Sequence, residues 1–141
     1  MILLPTDASN DEVLNIIRDW VERLVADDME AAYAMLHHYT DEPWTSDFLR
    51  IWVSNYGSKT PFADGRTYHI TSWKNATVSA DGPNDHYQDV ERWKQSTING
   101  SVGEVHYDLP LNGEWSDLTA IFPLVIRDGY LALQLDDIHV L

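Results

Sequence analysis

The sequence predicts an α+β fold, in which helices from the first half of the chain pack on a curved antiparallel sheet from the second half. Apolar residues recur at helical spacing between Val13 and Val25. Two hairpin turns, Asn112-Gly113 and Asp128-Gly129, separate three long apolar-rich runs near the C-terminus. Because helical patterns come first and strand patterns follow, we expect the helices and the sheet to form separate layers.

Length and composition are typical of a single domain over residues 1–141. The sequence has no cysteine, which excludes disulfides, thiolate nucleophiles and cysteine metal ligands. The N-terminus lacks the basic and apolar regions of a signal peptide, and no apolar run approaches the about 20 residues of a membrane span. We therefore expect a cytoplasmic protein.

The chain carries 23 acidic and 9 basic residues, which gives a net charge of −14. This balance argues against binding to nucleic acid or to an anionic membrane, because both require a basic patch. It either keeps the protein soluble or steers it toward a basic partner protein. The 6 tryptophans and 7 tyrosines can fill a core, line a pocket or anchor an interface.

The first helix has the clearest pattern in the chain. Residues 1–8 predict an arm that lies on the domain, and Ser9 with Glu12 forms a capping box. The helix should run from about Asn10 to Ala26, with its apolar stripe packed on the sheet. The stripe consists of Val13, Ile16, Ile17, Trp20, Val21, Leu24 and Val25.

Two shorter helices follow. Asp27-Asp28 ends the first helix and can cap a second one over Met29–Leu36, with His37-His38 at its end, where protonated histidines favour the helix dipole. Thr45 or Ser46 can start a third helix that reaches about Tyr56.

The middle of the chain predicts strands. The segment Arg66–Val78 is rich in Thr, Tyr, Ile, Trp and Val and indicates a long strand. The segment His86–Gln95 fits a helix or an irregular strand, and we favour the strand.

Two-residue turns set the register of the C-terminal strands Val102–Leu111, Trp115–Arg127 and Tyr130–Leu141. The predicted pairs are Tyr107 with Leu118, Val105 with Ala120, Ile126 with Leu131, Leu124 with Leu133, and Phe122 with Leu135. All of these side chains then share one face. A three-residue turn that includes Arg127 would instead place Ile126 beside Tyr130.

Two irregularities are expected in the last strands. The apolar alternation slips by one residue before Ile138, which predicts a β-bulge at Asp136-Asp137. Pro123 cannot donate a ladder hydrogen bond to Gln134, so we expect a bend or bulge near it.

The order of these elements resembles the NTF2-like superfamily. The segment Asp27–Tyr33 is similar to the superfamily's second helix, and Trp115–Leu141 is similar to its last two strands. The segments Leu109–Thr119 and Leu135–Leu141 resemble segments of small bacterial proteins. The resemblance implies a cone-shaped sheet around a pocket, and it allows a homodimer. Members of the superfamily include isomerases, dehydratases and binding domains, and no catalytic residue can be carried over from them.

Two groups of residues are candidates for a ligand site. Tyr33, His37 and Trp52 would approach the mouth of the expected pocket. His106 and Asp108 alternate with Glu104 along one strand, so that a carboxylate could orient the imidazole as a general base. A three-ligand metal site is geometrically possible, but the spacing of these residues along the strand is too long for one ion without a bulge. Asp136, Asp137 and His139 form a further cluster near the predicted bulge.

Three functional hypotheses follow, and none includes a metal or a cofactor. The first is a non-enzymatic protein-binding module, of an immunity or regulatory type, that engages a basic partner. The second is a small-molecule pocket, with or without isomerase- or dehydratase-like catalysis. The third is a structural homodimer. The absence of any catalytic signature in the sequence favours the first hypothesis over an enzyme.

Overall fold

A computed structural model describes residues 1–78, 88–98 and 100–140 of the chain. Its three helices begin at the predicted capping residues. Helix α1 spans Asn10–Val25, and its capping box pairs Ser9 with Glu12 in both directions. Helix α2, Met29–Ala34, ends two residues earlier than predicted, and helix α3, Ser46–Ser54, is capped by the Thr45 hydroxyl.

The second half of the chain forms an antiparallel sheet of five strands, so the protein is α+β. The strands are β1 (Gln88–Arg92), β2 (Ser101–Leu111), β3 (Glu114–Arg127), β4 (Tyr130–Leu133) and β5 (Asp137–Val140). The order across the sheet is β1-β2-β3-β4, and β5 continues beyond β4 along β3. None of the helices within the described ranges is long and apolar enough to cross a membrane.

The inner face of the sheet packs against α1 in one apolar core. Six side chains expected on this face are buried there: Tyr107, Leu118, Phe122, Leu124, Leu131 and Leu133. They meet the buried part of the α1 stripe, where the Trp20 and Phe122 rings pack edge to face with centroids 5.2 Å apart. This packing confirms the predicted docking of α1, although Val25 at the end of the stripe is exposed.

The register between β2 and β3 differs from the prediction by two residues. Pro110 pairs with Trp115 as a two-residue turn requires, but Tyr107 then lies opposite Ala120 and Val105 opposite Phe122. The shift occurs where the Ser116 hydroxyl donates to the carbonyl oxygen of Leu109 and accepts from the N–H of Leu118. Between these pairs β3 has two more residues than β2, and the local bonds of Ser116 replace the regular ladder there. A shift of two residues keeps every side chain on its predicted face.

Two of the predicted pairs and the bulge in the last strands are confirmed, although the predicted strand Tyr130–Leu141 is divided into β4 and β5. Leu124 pairs with Leu133 and Ile126 with Leu131, so the turn has two residues. Both Asp136 and Asp137 then face Ile121, because the Asp136 N–H donates to the Ile121 carbonyl while Asp137 pairs with the same residue.

The β3–β4 ladder ends at the Leu124–Leu133 pair, beside Pro123, and the bend or bulge expected at Pro123 stays a prediction. Pro123 still accepts a 3.2 Å hydrogen bond from the N–H of Gln134 through its carbonyl oxygen.

Two segments cover the outer edge of β4. Leu4 exchanges two backbone hydrogen bonds with Leu131, so the predicted N-terminal arm does lie on the domain. The N–H of His37 donates to the carbonyl of Leu133 at 2.7 Å. The edge is therefore not open for pairing with another chain.

The predicted strand over Arg66–Val78 is wrong. The segment makes only isolated bridges, at Ile70 and Thr77, as it wraps around the Asn112-Gly113 turn. A 3-10 turn over Trp73–Asn75 breaks it, because the Ser72 hydroxyl accepts from the N–H of Lys74.

The strand favoured over His86–Gln95 is present as β1. Its first two residues lie outside the described part of the chain, and β1 ends at Arg92.

Candidate functional site

A cleft of about 400 Å³ lies between the helices and the C-terminal part of the sheet. Helix α1, helix α2, the loop over residues 36–45 and the start of α3 form its walls. The apolar part of the lining consists of Trp20, Leu24, Met29, Ala32, Leu36, Trp44, Leu49 and Leu135. The three helices supply five of these side chains because each helix turns its apolar face inward, and Leu36, Trp44 and Leu135 come from the connecting segments.

A histidine–glutamate pair forms the polar side of the cleft. The Nδ1 atom of His38 contacts a carboxylate oxygen of Glu42, and its Nε2 atom lies 2.5 Å from the carbonyl oxygen of Tyr33. Each ring nitrogen of His38 therefore has a partner within the protein. The Tyr33 ring stacks on His38 with centroids 3.5 Å apart and covers it at the rim.

Two buried polar atoms of the lining residues are unsatisfied. The second carboxylate oxygen of Glu42, Oε2, and the indole nitrogen of Trp44 have no hydrogen-bond partner among the residues that the structure describes. The Glu42 side chain is 8% exposed and Trp44 is 7% exposed. An unsatisfied buried group costs about 1–3 kcal/mol, so two such groups in one short loop are unusual.

The geometry of His38 favours binding over proton transfer. A general base needs a nitrogen that can accept a proton from a substrate. Both nitrogens of His38 are engaged with protein acceptors, and one partner is the backbone of α2. The atom of this pair that has no hydrogen-bond partner among the described residues is Glu42 Oε2, which is buried.

A second cleft of about 380 Å³ lies on the other side of Leu24, Met29 and Leu49, which line both clefts. Its rim includes the exposed ion pair of Asp27 with Arg50. Exposed pairs of this kind contribute little to stability.

Of the residues predicted at the pocket mouth, Tyr33 lines the first cleft. His37 turns away to the β3–β4 hairpin, where Arg127 at the end of β3 donates to its Nε2 atom at 2.8 Å. Trp52 donates its indole N–H to the carbonyl of Ile138 at 2.6 Å and thereby ties α3 to β5. The structure does not bring these three residues together in one site.

The other two candidates lie on the opposite face of the sheet from α1. His106 Nε2 lies 2.5 Å from a carboxylate oxygen of its neighbour Glu104. Asp108 is buried and accepts a 2.5 Å hydrogen bond from the Thr119 hydroxyl. They flank Tyr107, whose side chain is in the core, so the alternation of the strand directs both away from the cleft.

The cluster predicted near the bulge, which consists of Asp136, Asp137 and His139, lies near Glu104, the neighbour of His106. Burial, with the nearby charges of Asp137 and Glu104, raises the pKa of Asp136. The side chains of His139 and Asp137 lie 2.8 Å apart. Within the described ranges, no group of three His, Asp or Glu side chains is arranged to hold a metal ion.

Tyr39 connects the cleft with this acidic face. Burial, followed by the charges of Asp136, Glu42 and Asp137, raises the pKa of its phenol. Negative charge therefore extends from the cleft wall to the outer side of the bulge.

Glu42 and Trp44 were not among the residues singled out from the sequence. They lie in a loop with no periodicity, and His38 had been explained by the dipole of α2. One signal in the sequence could have indicated this site. The titratable residues His38 and Glu42, followed by Pro43 and Trp44, lie in a loop between two amphipathic helices.

The chain matches no family model, no curated protein and no solved structure. The geometry of the cleft is therefore what carries a functional assignment.

Proposed function

We propose that this protein binds a small, largely apolar molecule in the cleft lined by Trp20, Met29, Glu42 and Trp44, and that it acts as a carrier or sensor. The observation that carries this proposal is the Glu42 carboxylate. It is buried beside an apolar wall and keeps one oxygen without a partner among the described residues.

The dimensions and lining of the cleft support the proposal. Small-molecule sites measure roughly 300–1,000 Å³ and combine apolar walls with a few polar groups. The volume of about 400 Å³ falls in this range. The polar groups converge from one loop and from the end of α2.

A ligand screen with a matched pair of variants tests the proposal. Compounds that raise Tm and change tryptophan fluorescence are sought first, since Trp20 and Trp44 line the cleft. Ser46→Trp would place a large ring in the cleft, whereas Asp47→Trp adds the same ring at an exposed position of α3 outside the lining.

We expect ligand-induced changes to disappear in Ser46→Trp and to persist in Asp47→Trp, with both variants folded by circular dichroism. Equal binding to the two variants would contradict the assignment of the site. A broad screen without any binder would contradict the function itself.

The resemblance to the NTF2-like superfamily adds a finer proposal, in which the sheet closes as a cone around this cleft. The order of helices and antiparallel strands supports it. An isomerase- or dehydratase-like activity would then be the alternative function. We favour binding because both nitrogens of His38 are engaged. Conversion of a bound compound, followed by chromatography, would support the enzyme instead.

A basic partner protein is a second candidate function. The specific observation is the closeness of Asp136, Asp137 and Glu104 on the outer face of the sheet, which raises the pKa of Asp136 through burial and the neighbouring charges. Such a patch would speed association with a positively charged surface.

Two triple variants of equal charge test this candidate. Glu104→Gln with Asp136→Asn and Asp137→Asn neutralises the patch, whereas Asp7, Asp19 and Asp41, all exposed, change to Asn in the control. Binding to a basic peptide, measured against NaCl concentration, should weaken in the first variant more than in the control. Equal weakening would mean that net charge alone is responsible.

A further inference from the structure

We infer that the ligand of the cleft carries an uncharged carboxamide or lactam group, whose N–H donates to Glu42 and whose carbonyl accepts from Trp44. This inference rests on the proposed function and specifies the class of ligand. Two unsatisfied atoms of opposite hydrogen-bonding character lie on residues that line one cleft: the acceptor Oε2 of Glu42 and the donor Nε1 of Trp44.

The loop holds these two residues in a defined relation. Pro43 stands between them and restricts its own backbone torsion, and its carbonyl accepts from the N–H of Thr45 at 2.8 Å. His38 contacts the other oxygen of Glu42, which orients the carboxylate. Trp44 packs edge to face on Phe48, with ring centroids 5.5 Å apart.

The charges around the cleft select against ionised head groups. A carboxylate or phosphate would meet Glu42 and Glu30, which both line the cleft. An ammonium group would satisfy Glu42 but offers no acceptor to the indole N–H of Trp44. An amide presents a donor and an acceptor side by side in one plane and meets both requirements.

Access requires side-chain rotation. Both atoms are shielded from water, and the carboxyl group of Glu42 and the ring of Trp44 must turn toward the ligand. Torsions at sp² groups are broad, so a small turn of the carboxylate that keeps its contact with His38 is inexpensive. The two hydrogen bonds replace unsatisfied groups, and a site built this way discriminates strongly against analogues that lack the matching polar atoms.

Four probes with one apolar body test the head group: 2-phenylacetamide, phenylacetate, 2-phenylethylamine and 2-phenylethanol. Dissociation constants come from titration of tryptophan fluorescence. The indole N–H of Trp44 is followed by ¹H–¹⁵N NMR, with its resonance assigned from Trp44→Phe. We expect the amide to bind at least about tenfold tighter than each of the other three, as one well-formed hydrogen bond allows. It should also move the Trp44 indole resonance downfield.

Variants separate the two contacts. Trp44→Phe keeps the ring packing and should lose about tenfold in amide affinity, with no change for the amine. Trp52→Phe is the control, because its indole donates to Ile138 outside the cleft, and its amide affinity should equal that of the parent. Glu42→Gln should weaken the amide less than Trp44→Phe does, since a glutamine oxygen still accepts.

The outcomes distinguish this inference from the proposed function. Equal affinities, or tightest binding of the amine or alcohol, would overturn the carboxamide assignment and leave a ligand-binding cleft. Binding of other screened compounds with no binding of any probe would do the same. Failure of every compound, with an unchanged Trp44 resonance, would overturn both.

Discussion

Side-chain hydrogen bonds connect α3 and the residues just after it to the sheet, and Tyr56 makes two of them. Its hydroxyl donates to the Asp117 carboxylate and accepts from the N–H of Asp117 at 3.3 Å. Tyr56→Phe removes both bonds and leaves a backbone donor unpaired, so we expect a loss of about 1–3 kcal/mol in the free energy of unfolding. Urea titration measures it. The exposed Tyr130→Phe should change stability by less than about 0.5 kcal/mol, and an equal effect would contradict the role of Tyr56.

The same residue has a signature at high pH. Burial and the hydrogen bond to Asp117 raise the pKa of Tyr56 from 10.0 to about 12. Because the folded-state pKa is the higher one, the stabilisation is complete below pH 10.0 and is lost as pH rises toward about 12. The difference in stability between parent and Tyr56→Phe should therefore shrink over this interval.

The two adjacent histidines have different partners. His38 contacts Glu42 and the carbonyl oxygen of Tyr33, whereas the guanidinium of Arg127 donates to His37 and requires its Nε2 atom to be unprotonated. Burial lowers the pKa of His37 below 6.5, with smaller effects of the Arg127 and His38 charges.

This lowered pKa predicts acid sensitivity. The unfolded chain takes up the proton first, so stability from neutral His37 is present above pH 6.5 and is lost as pH falls through the folded-state pKa. His37→Gln keeps an acceptor for Arg127, and its stability should fall less between pH 7 and pH 5. The exposed His69→Gln serves as control, and parent-like acid sensitivity of His37→Gln would contradict the assignment.

At the scale of helices and strands, the features that depend on local interactions were predicted correctly from the sequence. The Ser9 capping box, the Asn112-Gly113 and Asp128-Gly129 turns and the bulge before Ile138 are all present, because each depends on a few neighbouring residues. The β2–β3 register and the Arg66–Val78 segment were predicted wrongly. In both places a serine hydroxyl, of Ser116 or Ser72, bonds to nearby backbone and displaces the regular ladder.

The bulge at Asp136 makes a prediction at this scale. Deletion of Asp136 would let Asp137 follow Leu135 in a continuous ladder, with Asp137 still opposite Ile121 and Ile138 still opposite Ala120. It also removes a carboxylate whose pKa is raised by burial and by Asp137 and Glu104, so we expect a folded protein within about 1 kcal/mol of the parent.

Deletion of Leu135 is the control of equal length. It would place Asp136 opposite Phe122 on the core face, and we expect a loss of more than about 3 kcal/mol from the burial of a charge and the missing leucine. Thermal unfolding by circular dichroism measures both deletions. Similar losses in the two would show that the extra residue is required for β5 to pair.

At the scale of the whole molecule, the cleft illustrates what a sequence does not display. Its lining comes from α1, α2, the 36–45 loop and α3, which meet only in the tertiary structure. Tyr33 could be predicted at the cleft because it lies on a helix that the sequence indicates. Nothing in a loop sequence indicates that Glu42 and Trp44 will be buried with unsatisfied polar atoms. His106 and Asp108 were placed on one face correctly, and that face lies away from the cleft.

Net charge is the remaining property of the whole molecule that makes a prediction. The sequence carries −14, and the Lys or Arg pairs with carboxylates among the described residues are Arg50–Asp27 and Arg66–Asp64, both exposed. Exposed pairs contribute little, so the repulsion among acids should dominate the response to salt.

Raising NaCl from about 0.01 to 0.2 M shortens the screening length from about 30 to below 10 Å. We expect Tm to rise by about 3 °C as a result, which corresponds to roughly 1 kcal/mol for a chain of this length. The triple change of Asp7, Asp19 and Asp41 to Asn removes 3 of the excess negative charges and should reduce that rise. A Tm that falls with NaCl would instead mean that attraction between opposite charges outweighs repulsion, and the steering of a basic partner by this surface would lose its basis.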